Sequence, residues 1–211
     1  MIKVWMAAMA AAGMTCALAA APANASNPGS APTAKALTPV VKAFLADHGD
    51  LCLAWYAWPR DLTAEDQQSG SSEAVQLPVL ERLGVVQSVE VPPAPTRRYS
   101  LTAKGRQYYL HKKRIILDVH GQPEERDADF CVAHLSLDKV VRWDPPEPQH
   151  GHVETVVRYT YHIKAADWMS DSEAQKVLPV VARIIRGEGK LLMTATAQLQ
   201  DGRWVSVLPG Q

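Results

Sequence analysis

Apolar positions change their spacing several times along the chain, and each spacing predicts an element. Residues 4–21 are almost uninterrupted in apolar character. Val40, Val41, Phe44 and Leu45 then recur at helical spacing. Thr38-Pro39 supplies a cap followed by a first-turn proline, and Gly49 supplies a stop, which together predict a helix. Residues 51–58, rich in Leu, Trp and Tyr and closed by Pro59, predict a strand with Trp55 facing away from Tyr56 and Trp58. Thr63-Ala-Glu-Asp66 starts a short helix. Glu73–Leu83 predicts a helix with Val75, Leu80 and Leu83 inward, ended by Gly84; Pro78 sets an alternative start near Leu77. Val85–Val91 and Arg98–Leu101 predict strands around the loop 92–95, and Thr102 caps a helix from Ala103 to about Leu110.

A strand is predicted at 115–119, and the polar stretch His120–Asp127 marks a boundary. Strands follow at 129–135, 139–143 and 153–163, with Pro145–Gly151 connecting the second to the third. The last strand is the clearest, with Val153, Thr155, Val157, Tyr159 and Tyr161 on one face at period two. Ser170-Asp-Ser-Glu173 reads as a capping box opening a helix to Arg186, kinked or split at Pro179. Residues 190–199 and 203–208 predict a hairpin around Asp201-Gly202. The whole is an α+β pattern: an N-terminal part over 37–118, then an antiparallel sheet with one packed helix over 128–208.

The first apolar run carries a different message. Lys3 precedes it, and Pro22 and the small-x-small sequence Ala23-Asn24-Ala25 follow, the pattern of a secretory signal peptide over 1–25. The run is also about long enough for a spanning anchor, and Cys16 offers a lipidation site, although Gly13-Met14-Thr15 departs from a Leu-Ala-Gly-Cys box. Cleavage leaves a polar leader at 26–36, no transmembrane segment in the mature chain, and a periplasmic or secreted address. The full chain balances 22 basic against 22 acidic side chains, which argues against a dedicated nucleic-acid binder. With Cys16 removed, Cys52 and Cys131 remain, each in an apolar run. In an oxidising compartment they predict one disulfide.

The segment Leu77-Pro-Val-Leu-Glu-Arg-Leu-Gly84-Val-Val, followed by Arg98-Tyr-Ser-Leu-Thr-Ala-Lys-Gly105-Arg, resembles a winged-helix domain. The resemblance implies a helix, a two-stranded wing and a further helix, so the N-terminal part is read as winged-helix-like. Pro78 stands where a recognition helix would be, and export removes the chain from chromosomal DNA, so no nucleic-acid partner is implied. The Cys52 region, Leu101-Thr102-x-x-Gly105, the Cys131 segment, the Val-x-Tyr-x-Tyr strand and Asp167-Trp168 resemble small exported proteobacterial proteins without an assigned activity.

Candidate chemistry is sparse. No Gly-x-Ser-x-Gly, Ser-x-x-Lys or His-Glu-x-x-His motif is present, and no cofactor or metal signature stands out; His150-Gly-His152 offers two ligands without a third nearby. Arg97 and Arg98, with Lys112, Lys113 and Arg114, form two basic clusters suited to an anionic surface. Trp55, Tyr56 and Trp58 form a dense aromatic set suited to a core or to a binding surface. By elimination the sequence predicts an exported, non-catalytic protein that binds an envelope component or another protein. The alternatives are a periplasmic immunity or inhibitor protein against a co-encoded toxin, and a hydrolase whose site gathers residues distant in sequence. The exported protein is expected to begin at Ser26, which intact-mass measurement checks; retained residues 1–25, or a lipid mass on Cys16, would contradict it.

Overall fold

The computed structural model describes residues 31–208, apart from 94, 118, 119, 121 and 150; the predicted signal peptide at 1–25 and the first part of the leader lie outside the described residues. The described chain runs α1 (Ala34–His48), β1 (Asp50–Cys52), β2 (Arg60–Leu62), α2 (Ala64–Gln68), α3 (Ser72–Arg82), β3 (Val86–Val91), β4 (Thr96–Leu101), α4 (Ala103–Arg106), β5 (Tyr109–Leu110), β6 (Arg114–Leu117) and β7 (Pro123–Arg126). It continues through β8 (Asp129–Trp143), β9 (Glu147–Gln149), β10 (His152–Ala165), a 3-10 turn (Asp167–Ser170), α5 (Ser172–Val177), α6 (Pro179–Arg186), β11 (Met193–Gln200) and β12 (Arg203–Val207). This is a mixed α and β fold with antiparallel sheets. The large sheet has the order β1-β8-β10-β11-β12, with β5 on β8 and β9 on β10; a smaller sheet has the order β2-β4-β3, and β6 pairs with β7.

Helix α1 begins earlier than its pattern suggests. Thr33, not Thr38, is the N-cap and accepts from Ala36 N, while Thr38 Oγ1 donates to Ala34 O at 2.8 Å. Three residues of the predicted leader are therefore helical, and Pro39 sits inside the helix, where it removes a donor without ending it. Gly49 closes the helix as expected, donating its N–H to Leu45 O. Helix α3 likewise runs through Pro78 from the Ser71 cap, burying Leu77 and Leu80 while leaving Val75 45% exposed rather than inward. Only one turn follows Thr102. Residues 109–110 pair instead with Phe130 and Asp129, because a ladder rewards Tyr109 more than another helical turn would. A side chain at Gly105 would meet Val85 O at 2.0 Å, so the α4 turn approaches this backbone closely only because the position is glycine.

The predicted strand over 51–58 is only three residues long. After Cys52 the chain enters the left-handed region at Ala54, φ 58°, and the apolar residues beyond it serve burial rather than alternation. Where two strands are predicted, β8 runs unbroken for 15 residues. Two register shifts against β10 keep Leu137, Val140 and Trp143 on the α1 side opposite Tyr161, Tyr159 and Val157, which disguises the period in the sequence. Strand β10 buries Thr155, Val157, Tyr159 and Tyr161 on one face as predicted, with Val153 exposed at its end. The split before Pro179 and the Asp201-Gly202 turn, both residues at positive φ, also follow the sequence. The cap of α5 is Asp171 rather than Ser170, and its carboxylate accepts from Glu173 N and Ala174 N.

Two apolar cores result. One lies between α1 and the large sheet, around Leu37, Val41, Leu135, Val157 and Tyr161. The other gathers Trp55, Leu77, Tyr99 and Leu101 from the first half of the chain with Phe130, Trp168 and Leu178 from the second. At the margin of the small sheet, the Glu81 carboxylate accepts both the Ser88 N–H at 3.0 Å and the Ser88 hydroxyl at 2.7 Å, on the outer side of β3. Cys52 and Cys131 are bonded, S–S 2.08 Å, across the β1–β8 register with a separation of 79 residues. Cys131→Ser is expected to lower the unfolding free energy by about 2–4 kcal/mol, because it releases that loop in the unfolded chain. Urea titration under non-reducing conditions measures the loss.

Candidate binding cleft beside the disulfide

Helix α3 and the α5–α6 pair meet where Gln76 Nε2 donates to Val177 O at 3.0 Å. At the far end of this contact Arg82 donates from two nitrogens to the Asp171 carboxylate, at 2.8 and 3.4 Å. Between these ties and the chain leaving β1 lies an open cleft of about 660 Å³. Leu53 and Cys52 form one wall, Val75 of α3 a second, and Val177, Val180 and Val181 a third. Pro179 starts α6 at the break and turns Val180 outward, leaving it 70% exposed. Among the described residues Lys176 is the one ionisable group lining this cleft, and its ammonium bonds Glu173 at 2.6 Å. A smaller extension of about 350 Å³ continues past Cys52, Val180 and Val181 toward Leu51, Ala54 and Ile184. Its two carboxylates are buried and engaged. Asp129 Oδ1 accepts from Trp55 N at 2.8 Å and Phe130 N at 2.7 Å, and Asp50 accepts from His134 Nδ1 at 2.7 Å.

A second, polar cleft of about 380 Å³ opens on the other side of Cys131. Cross-strand pairing sets Asp50, His134 and Lys164 in one row over β1, β8 and β10. Lys112 Nζ reaches Asp50 at 3.5 Å while also capping α1 at the carbonyls of Ala46 and Asp47. A histidine held by a buried carboxylate is half of a general-base arrangement. Among the described residues lining this cleft there is no serine, threonine or free cysteine to complete it with a nucleophile.

The sequence-derived candidates fall as follows. Cys52 lines the apolar cleft and Cys131 the polar one. Trp55, Tyr56 and Trp58 do not alternate on a strand. Trp55 is buried edge-on against Trp58, with ring centroids 5.6 Å apart, and both pack on Phe130. Tyr56 lies under the Arg126 guanidinium at 4.8 Å, and its carbonyl accepts from the Tyr109 hydroxyl. Arg98 makes a paired contact to Asp61 at 2.8 and 2.7 Å, which holds the Asp61 carboxyl below the ordinary carboxylate range. Arg97 bonds Ser88 and Glu81, and Lys113 bonds Glu125 at 2.6 Å. The side chain of Arg114 lies outside the described residues, as does His150. No group of three or more His, Cys, Asp or Glu side chains is placed to hold a metal ion among the described residues. No helix among them is long and apolar enough to cross a membrane.

The cleft residues missed in the sequence are Val180 and the Asp50–His134 pair. Val180 lies in a helix whose amphipathic pattern is legible, but which face stays uncovered depends on α3 and β1. Asp50 and His134 are 84 positions apart, with no local signal joining them. Comparison with protein families, curated proteins and solved structures finds no match to this chain.

The Asp171 carboxyl is held below its ordinary 3.8, first by the Arg82 hydrogen bonds and then by the Ala174 N–H at the α5 cap. A lowered carboxyl pKa contributes stability that is present above the ordinary value and lost as pH falls through the lowered one. Acidification below about pH 4 is therefore expected to lower the urea midpoint. Asp171→Ala should start lower at pH 7 and lose less on acidification, and paired titrations at pH 7 and pH 3 check both.

Proposed function

We propose that the chain is an exported, non-catalytic protein that binds another protein through the apolar cleft beside Cys52. The observation that carries this reading is the exposure of Val180 and Val75, 70% and 45%, around a cleft lined by one ionisable side chain. Large apolar side chains held on a rigid, water-facing rim gain free energy when a partner covers them. The disulfide supports a periplasmic or secreted address, where such bonds form and persist. The order β2–α2–α3–β3–β4, with strands arranged β2-β4-β3, supports the winged-helix-like reading of the first part. On that reading α3 turns Leu77 and Leu80 to the core and Val75 to the cleft, which favours a protein over a nucleic acid as partner. An immunity or inhibitor protein is a special case in which the covering partner is a co-encoded toxin.

The paired cations at Arg97, Arg98 and Lys113 have little charge left to offer an anionic surface, so the binding reading rests on the cleft. One observation favours a hydrolase instead, the His134–Asp50 pair in the polar cleft; a hydrolase there would have to activate water directly.

Mature wild-type protein and its Val180→Asp variant, each immobilised and exposed to envelope extract, separate these readings. The variant is expected to recover at least tenfold less of any partner captured by the wild type, by quantitative mass spectrometry; equal recovery would place the partner elsewhere.

A further inference from the structure

The polar cleft on the Cys131 side is built differently from the apolar one, and its charges are not all engaged. The row Asp50–His134–Lys164 crosses three strands, and directly opposed residues share one face of a sheet. The Asp50 side chain is only 8% exposed and holds His134 through Nδ1, so the imidazole is fixed in place. The chain leaves β10 where Ala166 N donates to Val132 O at 2.8 Å, and the 3-10 turn follows at once. Trp168 and Met169 are buried and anchor that turn, which holds Asp167 at the rim of the same cleft.

Lys164 and Asp167 are the two charged side chains lining this cleft that have no partner among the described residues. Both are exposed, and they do not pair with each other although they stand three positions apart. Opposite free charges in one cleft select a ligand that carries both. A plain anion would meet Asp167 and Asp50 as well as Lys164, and a plain cation would meet Lys164. The lining between them includes Ala133, Ala165 and Ala166, whose short side chains leave room above the strands. The volume of about 380 Å³ falls within the range of small-molecule sites, roughly 300–1,000 Å³.

We infer that the polar cleft is a second binding site, for a small zwitterion of the free amino acid class. The ligand carboxylate meets Lys164, with His134 beside it, and the ligand ammonium meets Asp167. The ligand side chain lies over Ala133 and Ala165. This site is separate from the apolar cleft, which lies on the Cys52 side of the disulfide, and it does not depend on the protein-binding reading.

Isotope-labelled mature protein, followed by amide NMR and titrated with each of the common free amino acids, tests the site. Exposed charge contacts give weak affinity, so the titrations run to about 10 mM. Shifts at His134 and over 165–167 are expected with at least one amino acid. Its N-acetyl and carboxamide derivatives, each lacking one of the two charges, should bind at least tenfold more weakly. Lys164→Gln and Asp167→Asn should each weaken binding at least tenfold, and Val180→Asp should leave it unchanged. The substituted side chains are exposed, so circular dichroism of all variants is expected to match the wild type. No shift with any amino acid, shifts confined to other parts of the chain, equal binding of the singly charged derivatives, or equal binding to the Lys164 and Asp167 variants would each overturn the inference. If no amino acid binds while Val180→Asp still loses a captured partner, this inference fails and the protein-binding reading stands.

Discussion

The pairing of a three-residue strand, β1, with the start of β8 is the constraint on which the rest of this structure depends. It sits where the two cores meet. Leu51 looks toward the core under α1, and Leu53 toward the core that holds Trp55 and Phe130. Three residues of ladder contribute few hydrogen bonds, each worth about 1 kcal/mol net. The covalent bond at Cys52 therefore matters out of proportion to the strand's length, since it keeps the chain entering the second core in register with the sheet that forms the first. The buried Asp129 carboxylate reinforces this by accepting from Trp55 N, and Tyr109 reinforces it by donating to the Tyr56 carbonyl. The aromatic segment is thereby tied down on both sides without being a strand.

The same join explains why clefts occur on either side of the disulfide. Helices α3, α5 and α6 come from different parts of the chain and converge on one apolar centre around Leu77, Ala174, Leu178 and Val181. Their outer residues do not close over β1, because Pro179 breaks the path between α5 and α6 and directs Val180 outward. On the opposite side, polar residues pair across the strands, and the Asp50 carboxylate is hydrogen-bonded to His134 and Lys112 rather than exposed. One face of the junction is apolar and open, and the other is polar with its buried Asp50 carboxylate paired.

Much of this architecture was legible in the sequence. Period-two alternation marked β10, the Asp-Gly pair marked the last hairpin, Pro179 marked the helix break, and the cysteine count marked the disulfide. The failures share a physical origin in long-range pairing. Strand β8 was divided because its bulges shift Leu137 and Val140 out of simple alternation. Helix α4 was extended because nothing local shows that Phe130 waits to pair with Tyr109. The run 51–58 passed for a strand because Trp55 and Trp58 are apolar for reasons of core packing. The cleft was least legible of all, since exposure of Val75 and Val180 is a property of what fails to cover them.

The Glu81–Ser88 contact has a consequence for how copies of the molecule meet one another. An edge strand with open N–H groups is a template for another edge, and stacked edges are the first step toward fibrils. Glu81 occupies the outward N–H at the middle of β3 and presents a carboxylate where a second backbone would have to approach. Val89 is 59% exposed only one residue away, so an apolar side chain on this margin stands beside the charged Glu81–Arg97 contact. A second copy approaching along β3 would have to displace that carboxylate, which is carried by α3 and belongs to neither core.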